Sequence, residues 1–229
     1  MASGLALGAC GSLVPQGSGA SSGTASGQSS QPRVSSVPQT AVSRPEEARC
    51  IANLSAAGAR FSALPDAYDG SGCSRLGTVQ LSALSGDMRA LSVSNIGPVQ
   101  CRTANAFNAW ARFGVDRAAR QILGSPLVRI ETMGSYSCRN IAGSNRRSAH
   151  ATAGAIDVSG FILEDGRRIT LAQDWDGGSD EEREFLRVIQ SSACKRFATV
   201  LGPDYNRAHE DHFHLEGGDA EIERGSFCR

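Results

Sequence analysis

Residues 148–163 read SAHATAGAIDVSGFIL, and the second half of this stretch decides the fold. From Gly154 to Leu163 the segment is short, mostly apolar and rich in branched side chains, which is typical of a β-strand. Successive side chains of a strand point to opposite faces. Asp157 can therefore face a cleft while its neighbours Ile156 and Val158 pack in the core.

The segments on either side predict further strands and helices, and together an α+β fold with a small antiparallel sheet flanked by helices. The expected helices are residues 102–123, interrupted at Gly114, and residues 181–200. The expected strands are residues 127–136, 154–163, 168–171 and 213–215, with a hairpin turn at 165–166 and a polar loop at 138–147.

The overall charge and hydropathy exclude two classes of partner. The 229-residue chain has 23 basic and 23 acidic residues and a net charge of zero, whereas a nucleic-acid-binding surface needs a clustered basic excess. No apolar run approaches the roughly 18 residues that a membrane span requires. We expect a monomer that binds no nucleic acid.

The N-terminal residues predict an export signal followed by a tether. Residues 1–10 read MASGLALGAC, and residues 7–10 resemble a bacterial lipobox in which Cys10 is lipidated. The apolar segment is short and no basic residue precedes Cys10, so either the true start lies upstream or this resemblance is accidental. Residues 11–44 are dominated by Ser, Gly, Gln, Pro and Ala, which predicts a disordered linker. Residues 45–229 would then form one folded domain.

Cysteine usage indicates an oxidising compartment. Six cysteines follow Cys10, and none of them forms a C-x-x-C pair. Such spread cysteines favour three disulfides over the alternative of buried free thiols in a cytosolic protein. Pairing each cysteine with its neighbour along the chain predicts the bridges Cys50–Cys73, Cys101–Cys138 and Cys194–Cys228.

All four histidines of the chain lie in two short segments that also contain aspartates. His150 is followed by Asp157, and residues 209–214 read HEDHFH. Histidine is the commonest metal ligand in proteins, so this clustering predicts a metal site. A catalytic zinc site has three protein ligands and one open position, and the number of donors here exceeds what a closed structural site needs.

The C-terminal cluster must supply the third ligand. His214 is the natural choice because it lies within the expected strand, with His212 on the same face as a hydrogen-bond donor to the transition state. Asp211 and His209 are the candidate bases for the attacking water. Strict alternation would place Asp211 opposite His214, so Asp211 can act only if the chain turns before His212.

Two motifs and three further segments resemble known families. Residues 148–157, SAHATAGAID, resemble the S-x-H-x-x-G-x-A-x-D motif of the D-Ala-D-Ala metallopeptidase group. Residues 209–214 resemble the H-x-x-H-x-H pattern of the penicillin-insensitive murein endopeptidases in that group. Residues 134–139, 202–206 and 228–229 extend the likeness to the bacterial extensin-like C-terminal domain family, over residues 48–229.

The resemblance implies an LAS-type metallopeptidase fold and a zinc ion held by His150, Asp157 and His214. It also implies catalytic or transition-state roles for His212 and His209. One position departs from the motif, because Ala153 stands where the pattern has glycine. We further expect substrate contacts from three residues of the polar loop and its end, Arg139, Arg147 and Ser148.

The expected function is that of a zinc metallopeptidase that cleaves peptidoglycan stem peptides or cross-links in the bacterial periplasm. A lipid at Cys10 would be its only contact with a membrane. Two rival functions stay open: a non-catalytic peptidoglycan-binding module that retains zinc, and a structural envelope protein that uses the metal for stability.

Overall fold

The computed structural model describes residues 45–218 and 226–229. The α-helices of these ranges are α1 (Pro45–Ala56), α2 (Cys101–Trp110), α3 (Arg117–Ile122), α4 (Leu171–Gly177) and α5 (Asp180–Ala193). The strands are β1 (Arg60–Ala63), β2 (Ala67–Gly70), β3 (Cys73–Arg75), β4 (Thr78–Ser85), β5 (Ala90–Ser94), β6 (Val99–Gln100), β7 (Leu127–Gly134), β8 (Ala155–Leu163), β9 (Arg168–Thr170), β10 (Thr199–Leu201), β11 (Phe213–Glu216) and β12 (Phe227–Cys228).

One large mixed sheet organises the molecule. Ten strands belong to it, in the order β1-β4-β5-β7-β8-β11-β10-β12, with β6 beside β4 and β9 beside β8. All of these pairs are antiparallel except β5 with β7 and β10 with β12. The α+β class is confirmed. The sheet is larger than the small antiparallel sheet that was expected, and it contains two parallel strand pairs. The segment before α2 adds four strands that are not predicted from the sequence, namely β1, β4, β5 and β6.

The helix predicted over residues 102–123 is confirmed as a continuous helical segment with an irregular centre. Between α2 and α3, residues Ala111–Asp116 form a π-helical turn around Gly114. A β-carbon at Gly114 would lie 2.5 Å from Ser192 Oγ of α5 and 2.9 Å from the Trp110 ring. The interruption therefore lies where α5 approaches the backbone too closely for any side chain.

The helix predicted over residues 181–200 is too long at its C-terminal end. α5 ends at Ala193, and Thr199–Leu201 form β10 instead. In β10, Val200 lies opposite Leu215 of β11. The helical spacing of Phe197 and Val200 is therefore fortuitous, because both are buried through tertiary contacts that begin after the helix.

The core is centred on Trp110, which is fully buried between the helices and the sheet. Its ring lies 5.9 Å from Phe107, 6.1 Å from Phe161 of β8 and 6.5 Å from Phe197. The indole N–H donates to the carbonyl of Ile189 in α5 at 2.8 Å. These contacts join α2 and α5 to the strand that carries Asp157, and truncation of such an aromatic core residue costs about 3–5 kcal/mol.

Three disulfides confirm the oxidised state of the six cysteines, but two of the three expected pairings are wrong. The bridges are Cys50–Cys101, Cys73–Cys138 and Cys194–Cys228, of which only the last agrees with the prediction. The first joins α1 to the start of α2, which packs against it, and the second joins β3 to the polar loop. Packing of these elements, rather than distance along the chain, selects the partners.

The predicted lipidation site Cys10 and the predicted linker 11–44 lie outside the described residues. Within residues 45–218 and 226–229, no helix combines the length and the apolar character needed to cross a membrane.

Candidate functional site

The pairing of β8 with β11 brings the two histidine-containing segments together. In this antiparallel register, His214 lies directly opposite Asp157. The neighbours Ile156 and Val158 are fully buried in the core, as strand alternation predicts, so Asp157 projects from the other face. A single strand pair thus places one carboxylate and one imidazole of the predicted ligand set side by side.

His150 reaches the same point from a 3₁₀ turn, Ala149–Thr152, that precedes β8. Ser148 begins this turn, and its Oγ accepts a hydrogen bond from the backbone N–H of His150 at 3.4 Å. Gln100 of β6 supports the turn, because its side-chain amide donates to the Thr152 carbonyl at 2.8 Å. The S-x-H part of the motif is therefore a capped turn that holds His150 next to the sheet.

Ala153 ends the turn in the left-handed conformation, with φ +57° and ψ +26°. Its N–H donates to the carbonyl of His150 at 3.1 Å, and the chain then enters β8. This conformation explains why the motif has glycine here, since the left-handed region costs an L-residue about 1–2 kcal/mol. The alanine nevertheless keeps the shape that the motif requires.

The side chains of three residues converge between these elements. Nε2 of His150 lies 3.1 Å from Oδ2 of Asp157 and 3.2 Å from Nδ1 of His214, which in turn lies 3.0 Å from Oδ1 of Asp157. Ligands of a tetrahedral zinc ion, at about 2.0–2.1 Å from the metal, lie about 3.3 Å apart. The three residues therefore form a group that could hold a metal ion, and we call it the metal triad.

The hydrogen bonding of His150 favours a cation inside the triad. Its Nδ1 lies 3.0 Å from the carbonyl oxygen of Ser135, which can only accept, so Nδ1 carries the proton. In a neutral imidazole, Nε2 then presents a lone pair toward Asp157, whose oxygens also only accept. His150 is 2% exposed, so only a cation, either a proton or a metal ion, can relieve the repulsion between these lone pairs.

The ionisation of the triad follows from the same contacts. Burial alone would raise the pKa of Asp157, but hydrogen bonds from His150 and His214 hold it well below the usual range. Burial would lower the pKa of His214, yet hydrogen bonds to Asp157 and Glu216 raise it to about 9. The site attracts positive charge strongly, and a metal ion that binds to Nδ1 of His214 must displace a proton.

Glu216 belongs to this site, although neither sequence motif includes it. Its Oε2 lies 3.4 Å from Nε2 of His214 and accepts the proton on that nitrogen. With Nε2 held in this way, Nδ1 of His214 is the nitrogen left to bind a metal ion once its proton is displaced, which is the common outer-shell arrangement at histidine metal ligands. The alternation of His212, His214 and Glu216 along one strand face is the signal that could have identified it.

His212 lies at the edge of the triad and is oriented by Asp211. Its Nδ1 is 2.8 Å from Oδ1 of Asp211, and its Nε2 is 3.6 Å from Oδ1 of Asp157. Asp211 lines a separate surface recess rather than the cleft that contains the histidines. The structure therefore places Asp211 behind His212, where it can act on the chemistry only through that imidazole.

His209 lies beside His212 and His214, with ring centroids 5.2 and 5.9 Å away. Nδ1 of His209 is 2.8 Å from Oδ1 of Asn206, and the ring of Tyr205 packs against its edge. Partial burial and the charges of the two neighbouring histidines lower the pKa of His209 to about 4. His209 is therefore neutral at pH 7. No sequence pattern indicates the contacts of Tyr205 and Asn206.

Three of the histidines, His209, His212 and His214, line a cleft of about 430 Å³. Arg139 lines this cleft with an exposed side chain, which suits the predicted contact with a substrate carboxylate. Arg147 does not line it, because its Nε and Nη1 donate to the carbonyl of Ser71 and to Oδ1 of Asn140 at 2.7 and 2.9 Å. Ser148 lines the cleft as well as capping the turn. The three residues expected to bind substrate therefore occupy different positions.

Comparison with known protein families gives one match. The model described as Extensin-like protein C-terminus matches residues 48–229, which is the range that the motifs indicated. That range contains the metal triad, His209, His212 and all six disulfide cysteines. No curated protein and no solved structure matches the chain.

Proposed function

The chain belongs to the Extensin-like protein C-terminus family, and from that starting point we propose that it is a zinc-dependent peptidase of the bacterial cell wall. The proposed reaction is hydrolysis of a peptide bond in peptidoglycan stem peptides or cross-links. The carbon–nitrogen bond breaks, the hydroxyl of water joins the acyl carbon, and the remaining proton goes to the amine. The observation that carries the proposal is the metal triad, whose member His214 lines an accessible cleft together with His209 and His212.

The donor chemistry of the triad supports zinc as the metal. Two imidazole nitrogens and one carboxylate oxygen are ligands that zinc commonly takes at catalytic sites, where a fourth position stays open. A zinc ion bound there would supply Lewis acidity toward the scissile carbonyl and the attacking water. A closed structural site would instead need a fourth protein ligand, and His212 is a candidate, because its Nε2 lies 3.6 Å from Oδ1 of Asp157.

In the proposed mechanism, His212 and Asp211 act as a dyad that moves the proton. Because Asp211 accepts the proton on Nδ1, neutral His212 has a lone pair on Nε2 at the edge of the triad. That nitrogen takes a proton from the attacking water and then returns it to the leaving amine. Asp211 stabilises the intervening imidazolium, so its role is to position and support His212 rather than to act as the base itself.

His209 is the second candidate for the proton acceptor. Its Nδ1 donates to Asn206, so its Nε2 carries the lone pair. Its low pKa keeps it neutral but also makes it a weak base, and a base is most effective when its pKa is near the working pH. We therefore assign the main proton transfer to His212 and expect the larger loss of activity when His212 is removed.

Arg139 is proposed to bind a carboxylate of the substrate. It lies in the same cleft as His209, whose pKa its charge helps to lower. Guanidinium groups bind carboxylates through two parallel hydrogen bonds, which would orient an acidic peptide. The proposed location is the periplasm, since three disulfides suit an oxidising compartment. A lipid anchor at Cys10 remains part of this proposal.

The test combines metal analysis with digestion of purified muropeptides by the wild type and His214→Ala. We expect about one zinc per wild-type chain and new peptide fragments by mass spectrometry, and neither from the variant. Glu210→Gln, at an exposed carboxylate of the same segment, is the matched control and should behave as the wild type. Zinc-loaded wild type that binds muropeptides but releases no product would favour the non-catalytic binding module, and wild type without zinc would contradict the proposal altogether.

A further inference from the structure

A second recess adjoins the cleft. It has a volume of about 250 Å³, and three residues line both spaces: Ser148, Ala149 and Glu216. Because these residues form a shared boundary, a bound peptide can pass from the cleft into the recess without leaving the surface. The cleft is therefore one part of a longer groove.

Strand β11 gives the length of this groove. The strand carries His214 of the metal triad, then Glu216 at the shared boundary, and the chain continues to Gly217 in the wall of the recess. At about 3.4 Å per residue, Glu216 lies about 7 Å and Gly217 about 10 Å from His214. An extended peptide whose scissile bond lies at the triad would place in the recess a residue two or three positions from that bond.

The lining of the recess favours an anion. Arg102 and Arg147 contribute two guanidinium groups, and Glu216 is the only carboxylate among the described residues that line it. Both arginines make oriented hydrogen bonds, Arg102 to Oε1 of Gln100 at 2.9 Å and Arg147 to the Ser71 carbonyl and Oδ1 of Asn140. Guanidinium groups that are already oriented lose less entropy when they bind a carboxylate.

Arg147 is also joined to the rim of the cleft through a disulfide-linked hairpin. The hairpin formed by β2 and β3 is linked to the polar loop through the Cys73–Cys138 disulfide, and Ser71 lies in its turn. The loop between Cys138 and Ser148 therefore carries two arginines, with Arg139 lining the cleft and Arg147 lining the recess. Two separate carboxylate-binding positions are thus available along one groove.

We propose that the recess is an anion-binding subsite for residues on the C-terminal side of the scissile bond, and that the enzyme cleaves within an extended peptide that has a carboxylate two or three residues beyond that bond. This inference rests on the proposed function and narrows it to endopeptidase activity on acidic, cross-linked peptides. A carboxypeptidase would need the groove closed just beyond the scissile bond, whereas here it continues for about 10 Å.

The experiment compares three substrates with the full-length zinc-loaded protein: native cross-linked muropeptide dimers, the same dimers with their free carboxylates converted to amides, and uncross-linked monomers. We expect dimers to be split into monomers while monomers keep their terminal residue. The KM should be about tenfold or more lower for the native than for the amidated dimer, since charge-assisted hydrogen bonds to carboxylate are lost in the amide.

Arg147→Gln should remove this preference by raising the KM for the native dimer about tenfold or more, with kcat unchanged. Arg147→Lys keeps the charge and should recover part of the preference. Arg146→Gln is the matched control, because Arg146 is an exposed neighbour that lines neither the recess nor the cleft. Zinc content and melting temperature of each variant show whether the polar loop is intact.

The outcomes separate this inference from the proposed function. If no substrate is cleaved by zinc-loaded protein, the proposed function fails and the subsite assignment fails with it. If only the terminal residue of monomers is released, the peptidase function holds and the inference alone is overturned. Equal KM values for native and amidated dimers with the wild type also overturn it, whatever the variants show.

Discussion

Replacing Asp157 with asparagine should separate metal binding from folding. Asparagine has nearly the same shape, so the register between β8 and β11 can persist, but the only negative charge of the metal triad is removed. The amide nitrogen is not a metal ligand and competes sterically for the position of one carboxylate oxygen. The expected effect is therefore on zinc affinity rather than on the core.

The size of the effect follows from the number of ligands. A four-ligand structural zinc site contributes about 10–16 kcal/mol, so one ligand accounts for about 2.5–4 kcal/mol. That corresponds to an increase of about 10²–10³-fold in the zinc Kd. With zinc in excess of both Kd values, the melting temperature of Asp157→Asn should be lower by about 5–15 °C, at 2–4 °C per kcal/mol.

The assay is a competition titration against a chromophoric chelator, with thermal melts in the presence and absence of zinc. Asp176→Asn is the control, since this carboxylate is 83% exposed and pairs only with Arg187 among the described residues. A zinc Kd for Asp157→Asn within threefold of the wild type would refute the assignment of Asp157 as a ligand. Equal melting of the metal-free proteins would show that the fold is retained.

Three further outcomes are expected. His212→Ala should keep its zinc but lose about 10²–10³-fold in kcat, because the group that transfers the proton is missing. Steady-state hydrolysis of muropeptides measures this loss. Ala153→Gly should change the free energy of unfolding by less than about 1 kcal/mol in urea titrations, because relief of the positive φ offsets the greater freedom of glycine in the unfolded chain. Hydrogen bonds from Arg117 and Arg112 lower the pKa of Asp87 to about 2. The stability that this carboxylate contributes is therefore complete above about pH 4 and is lost as the pH falls toward 2. Asp87→Asn should flatten that part of the acid-unfolding profile.

The candidate ligand set could be predicted because it depends on local properties of the chain. Side chains alternate along a strand, and this rule alone places Asp157 on the face opposite Ile156 and Val158. The same rule places His212 and His214 on one face, and it extends to Glu216, which the histidine motifs do not include. The chemistry of imidazole and carboxylate then indicates a metal.

Other parts of the site depend on contacts that no local pattern contains. The partner of Cys50 is determined by the packing of α1 on α2, and the partner of Cys73 by the position of a hairpin against the polar loop. The sequence predicts that Arg147 binds substrate in the same site as Arg139, yet a hydrogen bond to Ser71, 76 positions away, places it in a separate recess.

The sequence by itself determined which residues can bind a metal and which face of each strand they occupy, because side-chain chemistry and strand alternation are properties of neighbouring residues. The tertiary structure alone decided the sheet order, the disulfide partners, the position of Asp211 behind His212 and the groove beyond Glu216. These features arise from pairings between distant segments, whose free energy depends on the whole packed core rather than on any one stretch of the chain.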